Sequence, residues 1–184
     1  MSVPVAPSGR PRTLVHPGPM APQRLEHVAA LGQRQWHLTL APGQPLLAAL
    51  TGALAEQGVQ AAAMALLGGD LQTVAYCLPI PDPAGELVAT YGEPLVVGPA
   101  RLLRGSATLG QAADGSPVVH CHATFADAAG TLRGGHVLLD RTVVGRRPVV
   151  ALVTALDGVE LRLGFDPETR LHMLRPLERR VMHG

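Results

Sequence analysis

Val118-Val119-His120-Cys121-His122-Ala123-Thr124-Phe125, with Gly134-Gly135-His136-Val137-Leu138-Leu139 a short turn later, is the stretch from which the fold of this chain is read. Successive side chains of a strand point to opposite faces. His120, His122 and Thr124 therefore share one side, and Val119, Cys121, Ala123 and Phe125 share the other. The second set is apolar and suits a core. Ala126-Asp127-Ala128-Ala129-Gly130 supplies turn residues, so residues 134–139 read as the returning strand. A turn centred near Ala128 or Ala129 sets His136 almost opposite His122, and opposed residues of an antiparallel pair share a face. Three neutral imidazoles meeting this way can hold a divalent transition metal, zinc or another, with a fourth position left for water or substrate. The alternative is a trio of strand histidines satisfied by structural or interface hydrogen bonds. Asp127 reads as a cap of the turn, not as a fourth ligand.

The bulk properties narrow the setting. At 184 residues the chain fits one domain with terminal extensions. Apolar residues make up 47% but aromatics only 3%, so the core must be built from Ala, Val and Leu. Small side chains bury little area each, which favours oligomerisation as a source of further burial. A formal net charge of +1 gives no electrostatic case for the whole chain gripping a polyanion. Cys77 and Cys121 both lie in strand-like apolar runs and read as buried free thiols. No long apolar segment follows the first basic residues, and no stretch is apolar for the roughly 20 residues a spanning helix needs. The expected location is the cytoplasm.

Along the chain, residues 1–24 are rich in Pro and Gly and read as an extended arm. Residues 25–165 read as the domain and 166–184 as a C-terminal tail. Residues 35–40 alternate as a first strand. Pro45 suits a first helical turn, and Leu46, Leu47, Leu50, Ala53 and Leu54 form a stripe at helical spacing that Gly58 can end. One main helix is expected at about 45–57. Short runs follow at 59–67, 71–78, 87–91, 95–97, 100–109, 118–125, 136–144, 149–156 and 159–163. Residues 61–65 have helical propensity, but Gly58 and Gly68-Gly69 bracket them too tightly for a second helix. Many strands with one helix predict an α+β fold, an antiparallel or mixed barrel-like sheet with the helix packed on it.

These residues resemble a known family. Gly68-Gly69-Asp70-Leu71, then Asp114-Gly115-Ser116-Pro117-Val118-Val119-His120-Cys121-His122, then Asp127-Ala128-Ala129-Gly130-Thr131-Leu132-Arg133-Gly134-Gly135-His136-Val137 is similar to the plant-and-prokaryote-conserved (PPC) domain. The resemblance implies a barrel-like sheet and a homotrimer with its histidines near subunit interfaces. It also implies a regulatory role with DNA as a partner, since bacterial members commonly carry a DNA-binding label. In plants the domain follows an AT-hook, whose core is Arg-Gly-Arg-Pro. Here Ser8-Gly9-Arg10-Pro11-Arg12 lacks the leading arginine, leaving Arg10 and Arg12 as the arm's minor-groove candidates.

The fold also resembles acetolactate decarboxylase, a zinc enzyme with a comparable three-histidine arrangement. By that analogy His120, His122 and His136 would hold a catalytic zinc. Glu86, Glu93 and Glu160 would be proton-transfer candidates and Arg133 an anion clamp. Fold analogy does not establish activity, so a non-enzymatic reading leads. The rival is a zinc-dependent lyase or hydrolase acting on a small oxygenated metabolite. No phosphate-binding glycine loop accompanies Gly68-Gly69 or Gly134-Gly135. Cys121 faces away from the histidines, which disfavours a Cys-His dyad on that strand.

Overall fold

A computed structural model describes residues 14–23, 25–32 and 34–179. Among these described residues twelve strands and one helix follow in order: β1 (Gln35–Leu40), α1 (Leu46–Glu56), β2 (Ala62–Cys77), β3 (Pro79–Ile80), β4 (Thr90–Tyr91), β5 (Leu95–Val97) and β6 (Ala100–Gln111). Then come β7 (Pro117–Asp127), β8 (Leu132–Val137), β9 (Val143–Val144), β10 (Val149–Ala155), β11 (Val159–Asp166) and β12 (Leu171–Glu178). The expected α+β class holds.

The single helix lies where its apolar stripe places it. Leu46, Ala49, Leu50 and Leu54 are buried, Leu47 packs partly against the core, and no side chain caps the N-terminus. Its first amides instead donate to the Thr142 and Leu139 carbonyls at 2.8 and 3.1 Å, which satisfies donors that a helix start always leaves open. Gly58 adopts a φ of +65° and ends the helix. Each fully buried leucine contributes about 1.5–3 kcal/mol. This matters in a core whose main aromatic contact is Tyr76 edge-on to Phe125 at 5.2 Å.

The sheet order is β1-β10-β2-β8-β7-β6-β11-β12, and β2 also pairs with β6. Strands β2, β8, β7 and β6 therefore close into a ring. One long strand makes this closure possible. Residues 62–71 of β2 pair with β6, while Tyr76 and Cys77 pair with β8. The pairing with β6 runs on past Gly68 and Gly69, at φ +140° and +132°, to Leu71, and a Cβ on Gly69 would sit 2.5 Å from the Pro148 carbonyl oxygen. The expected runs at 59–67 and 71–78 are thus one strand: the paired glycines bend it and do not break it. The run at 136–144 shows the reverse, splitting into β8 and β9 around the turn that meets the helix.

At the C-terminus, Leu171–Glu178, read from sequence as part of a tail, pairs along its length with β11. Residues 14–23 cross the turn between these strands. There the Glu168 carboxylate accepts from the Ala21 amide and meets His16 Nδ1 at 2.6 Å. Both cysteines are free and buried, as expected.

Candidate metal centre

The β7–β8 hairpin forms with the anticipated register. His122 stands opposite His136, and Asp127 Oδ1 accepts from the Ala129 and Thr131 amides to shape the turn. On β7, Cys121, Ala123 and Phe125 are buried, while His120, His122 and Thr124 are exposed. Gly134-Gly135 has a steric cause. A Cβ on Gly135 would lie 2.5 Å from the Cys77 carbonyl oxygen, so β8 can approach β2 only without a side chain there.

The three imidazoles cluster. Ring centroids of His120 and His122 are 4.8 Å apart, those of His120 and His136 4.8 Å, and those of His122 and His136 5.6 Å. One ring nitrogen from each lies within 4.8 Å of the others. Nitrogens around a tetrahedral zinc stand about 3.4 Å apart, a difference that side-chain rotation covers. Partial burial and mutual repulsion disfavour the charged form of His120 and His136, and the neutral form is the one a metal requires. Burial, then His120 and His122, depress His136 to about 4; burial, then His122, lowers His120. His136 Nδ1 is the one buried side-chain nitrogen or oxygen among the described residues without a hydrogen-bond partner. An orphaned nitrogen on a ring that neighbours two other imidazoles fits a metal ligand, because an unsatisfied buried polar atom is otherwise a net cost.

Residues remote in sequence complete the site. Tyr91 stacks on His136 at 4.6 Å with a 26° interplanar angle. Cys77 faces His136 across β2 and β8, so the buried thiol lies on the histidine side, whereas Cys121 belongs to the core, where burial pushes its thiol up to about 12. A cavity of about 570 Å³ opens beside His120 and His136. Thr108, Tyr91, Val118, Val119 and Leu163 line it, together with Leu171, His172, Met173 and Leu174 of β12. A larger hollow of about 790 Å³, bounded by Asp70, Arg101, Asp127 and Arg146 among others, contains no histidine.

The charged candidates lie elsewhere. Glu160 pairs with Arg162 at 3.0 Å and Arg133 with Asp127 at 2.8 Å. Neither these two nor Glu86 and Glu93 line the histidine cavity. Arg10 and Arg12 lie outside the described residues. Arg34, Arg133, Arg147, Arg162 and Arg175 are each engaged by a carboxylate. Among the described residues no helix is long and apolar enough to cross a membrane.

Comparison with known proteins agrees with this architecture. A plant- and prokaryote-conserved protein from Pyrococcus horikoshii superposes with a TM-score of 0.65 at 17% identity, covering 84% of this chain and 99% of its own. A metal-containing protein from Archaeoglobus fulgidus gives 0.64 at 19%, covering 83% and 99%. A protein named as a putative DNA-binding protein from Ralstonia eutropha gives 0.61 at 18%, covering 76% and 89%. At these identities the likeness speaks for the fold. No curated protein matches the sequence. The family model described as the Plants and Prokaryotes Conserved (PCC) domain matches residues 28–155, a span that includes the ring, the helix and all three histidines, and the chain belongs to that family.

Proposed function

We propose that this chain is a metal-binding, regulatory PCC-domain protein that acts as a homotrimer, with His120, His122 and His136 as the protein ligands of zinc or another divalent transition metal. One observation carries the reading: three imidazoles from two paired strands bring their nitrogens within 4.8 Å of one another. Three protein ligands leave one position of a tetrahedral ion open, where it would act as a Lewis acid. The chain's own part is to favour the neutral form of His120 and His136, with Tyr91 stacked against His136 to fix that ring.

Trimer formation is supported by the outward face of the ring. Leu152, Ala65, Ser106, His122 and His136 follow one another in register across five strands. Leu67, Leu103 and Leu152 remain 38–45% exposed, an apolar display that suits subunit contact. DNA is the partner suggested by the name of the Ralstonia relative. The engagement of five arginines by carboxylates puts the weight of the proposal on the metal instead. The cavity beside the histidines favours a second reading, a zinc-dependent lyase or hydrolase of a small oxygenated metabolite, in which water would be the available proton carrier.

Elemental analysis of tag-free protein after zinc supplementation tests the proposal. About one zinc per chain is expected, with affinity falling at least a hundredfold in His122→Ala while the fold is kept. Less than a tenth of a zinc per chain sinks it. Sedimentation of the same sample reads the oligomeric state, with three chains expected.

A further inference from the structure

The β11–β12 hairpin lies beyond the residues matched by the family model, yet it walls the histidine cavity. Leu163 on β11 and Leu174 on β12 stand opposite each other in register, and both line the space beside His120. The second wall is the segment carrying Tyr91. It is tied to the hairpin by the Val88 amide, which donates to the Thr169 carbonyl at 3.0 Å. Two separate parts of the chain are thus joined into one cover beside His120 and His136.

The chemistry of this cover is one-sided. Among the described residues no Asp, Glu, Lys or Arg lines the cavity, and Val118, Val119, Leu163, Leu171, Met173 and Leu174 give it apolar walls beside Tyr91, Thr108 and His172. A divalent ion on three neutral imidazoles keeps its full charge, and nothing in the walls offsets it. In surroundings of low polarity that charge is satisfied most readily by an anionic donor brought in by the ligand. The volume of about 570 Å³ is that of a small-molecule pocket, well beyond what water or acetate fills.

We propose that the cavity between Tyr91 and β12 binds a small monoanion with an apolar body, of the medium-chain or aryl monocarboxylate class, its head toward the histidines and its body against Val119, Leu163 and Leu174. The assignment rests on the three-histidine metal reading. A dianion is disfavoured because, among the described residues, no Lys or Arg lines the cavity to meet a second charge, and a cation is repelled by the metal. Met173 decides the test. It lines the cavity and is 47% exposed, so a charge placed there alters the cavity and spares the core.

Calorimetric titration of the zinc-loaded protein with octanoate, acetate and octylamine reads the proposal. Octanoate is expected to bind at least tenfold more tightly than acetate, and octylamine not to bind. Met173→Glu is expected to weaken octanoate at least tenfold with zinc content unchanged, and Met173→Lys to bind it no worse than the parent. Stoichiometric zinc with octanoate no tighter than acetate, or equal losses in both Met173 variants, overturns the ligand assignment and leaves the metal reading standing. A chain that retains no zinc overturns both.

Discussion

The two faces of β7 are made from alternate residues of one strand, and they do different work. Inward, Cys121 and Phe125 are fully buried and Ala123 nearly so, packed with the helix and the ring. Outward, His120, His122 and Thr124 are exposed and contribute little apolar burial. The inward face sets the fold by surface removed from water; the outward face sets chemistry by where nitrogen atoms converge. A substitution on one side should therefore be read by stability, and on the other by ligand uptake.

The largest expected effect is on the inward side. Phe125→Ala should cost about 3–5 kcal/mol, since it removes a fully buried ring and leaves a cavity. Urea unfolding checks this, and a loss below 1 kcal/mol would show that the ring interior is not the source of stability. Gly135→Ala comes next, because the added methyl meets the Cys77 carbonyl oxygen. A cost of about 1–3 kcal/mol is expected from overpacking, with weaker zinc uptake as β8 is pushed from β2. Normal uptake with full stability would mean the two strands can separate freely.

The smallest effect is on the outward side and is read by pH. His120 and His136 titrate below the ordinary imidazole value of 6.5, His136 at about 4. Between these limits the unfolded chain binds more protons than the folded one, so metal-free stability rises with pH and is lost as pH falls from 6.5 toward 4. Urea midpoints of metal-free protein at pH 4.5 and 7 should show this slope, flattened in His136→Gln. An unchanged slope in that variant would place its origin in other groups.

The hairpin and its register were legible because alternation, turn residues and histidines all pointed to one pairing. The helix was legible because its leucines repeat at helical spacing and Gly58 ends them. What escaped the sequence reading depends on distance along the chain. Gly68-Gly69 carries the composition of a break, and only the pairing of β2 with both β6 and β8 turns it into a bend. β12 contains His172, Arg175, Pro176 and Glu178, so no clean alternation marks it, and it pairs with β11 alone. Tyr91 stacks on His136 and Cys77 pairs with it across the sheet, both from elements 29 or more residues away in sequence from the hairpin's first histidine. No local pattern signals such a meeting.

The bent β2 also governs how the molecule comes apart. A strand that belongs to both sides of a closed circuit offers no end from which neighbours can be peeled in turn, so its amides should exchange with solvent only when the whole ring opens. β12, paired with β11 alone, should exchange earlier than β2.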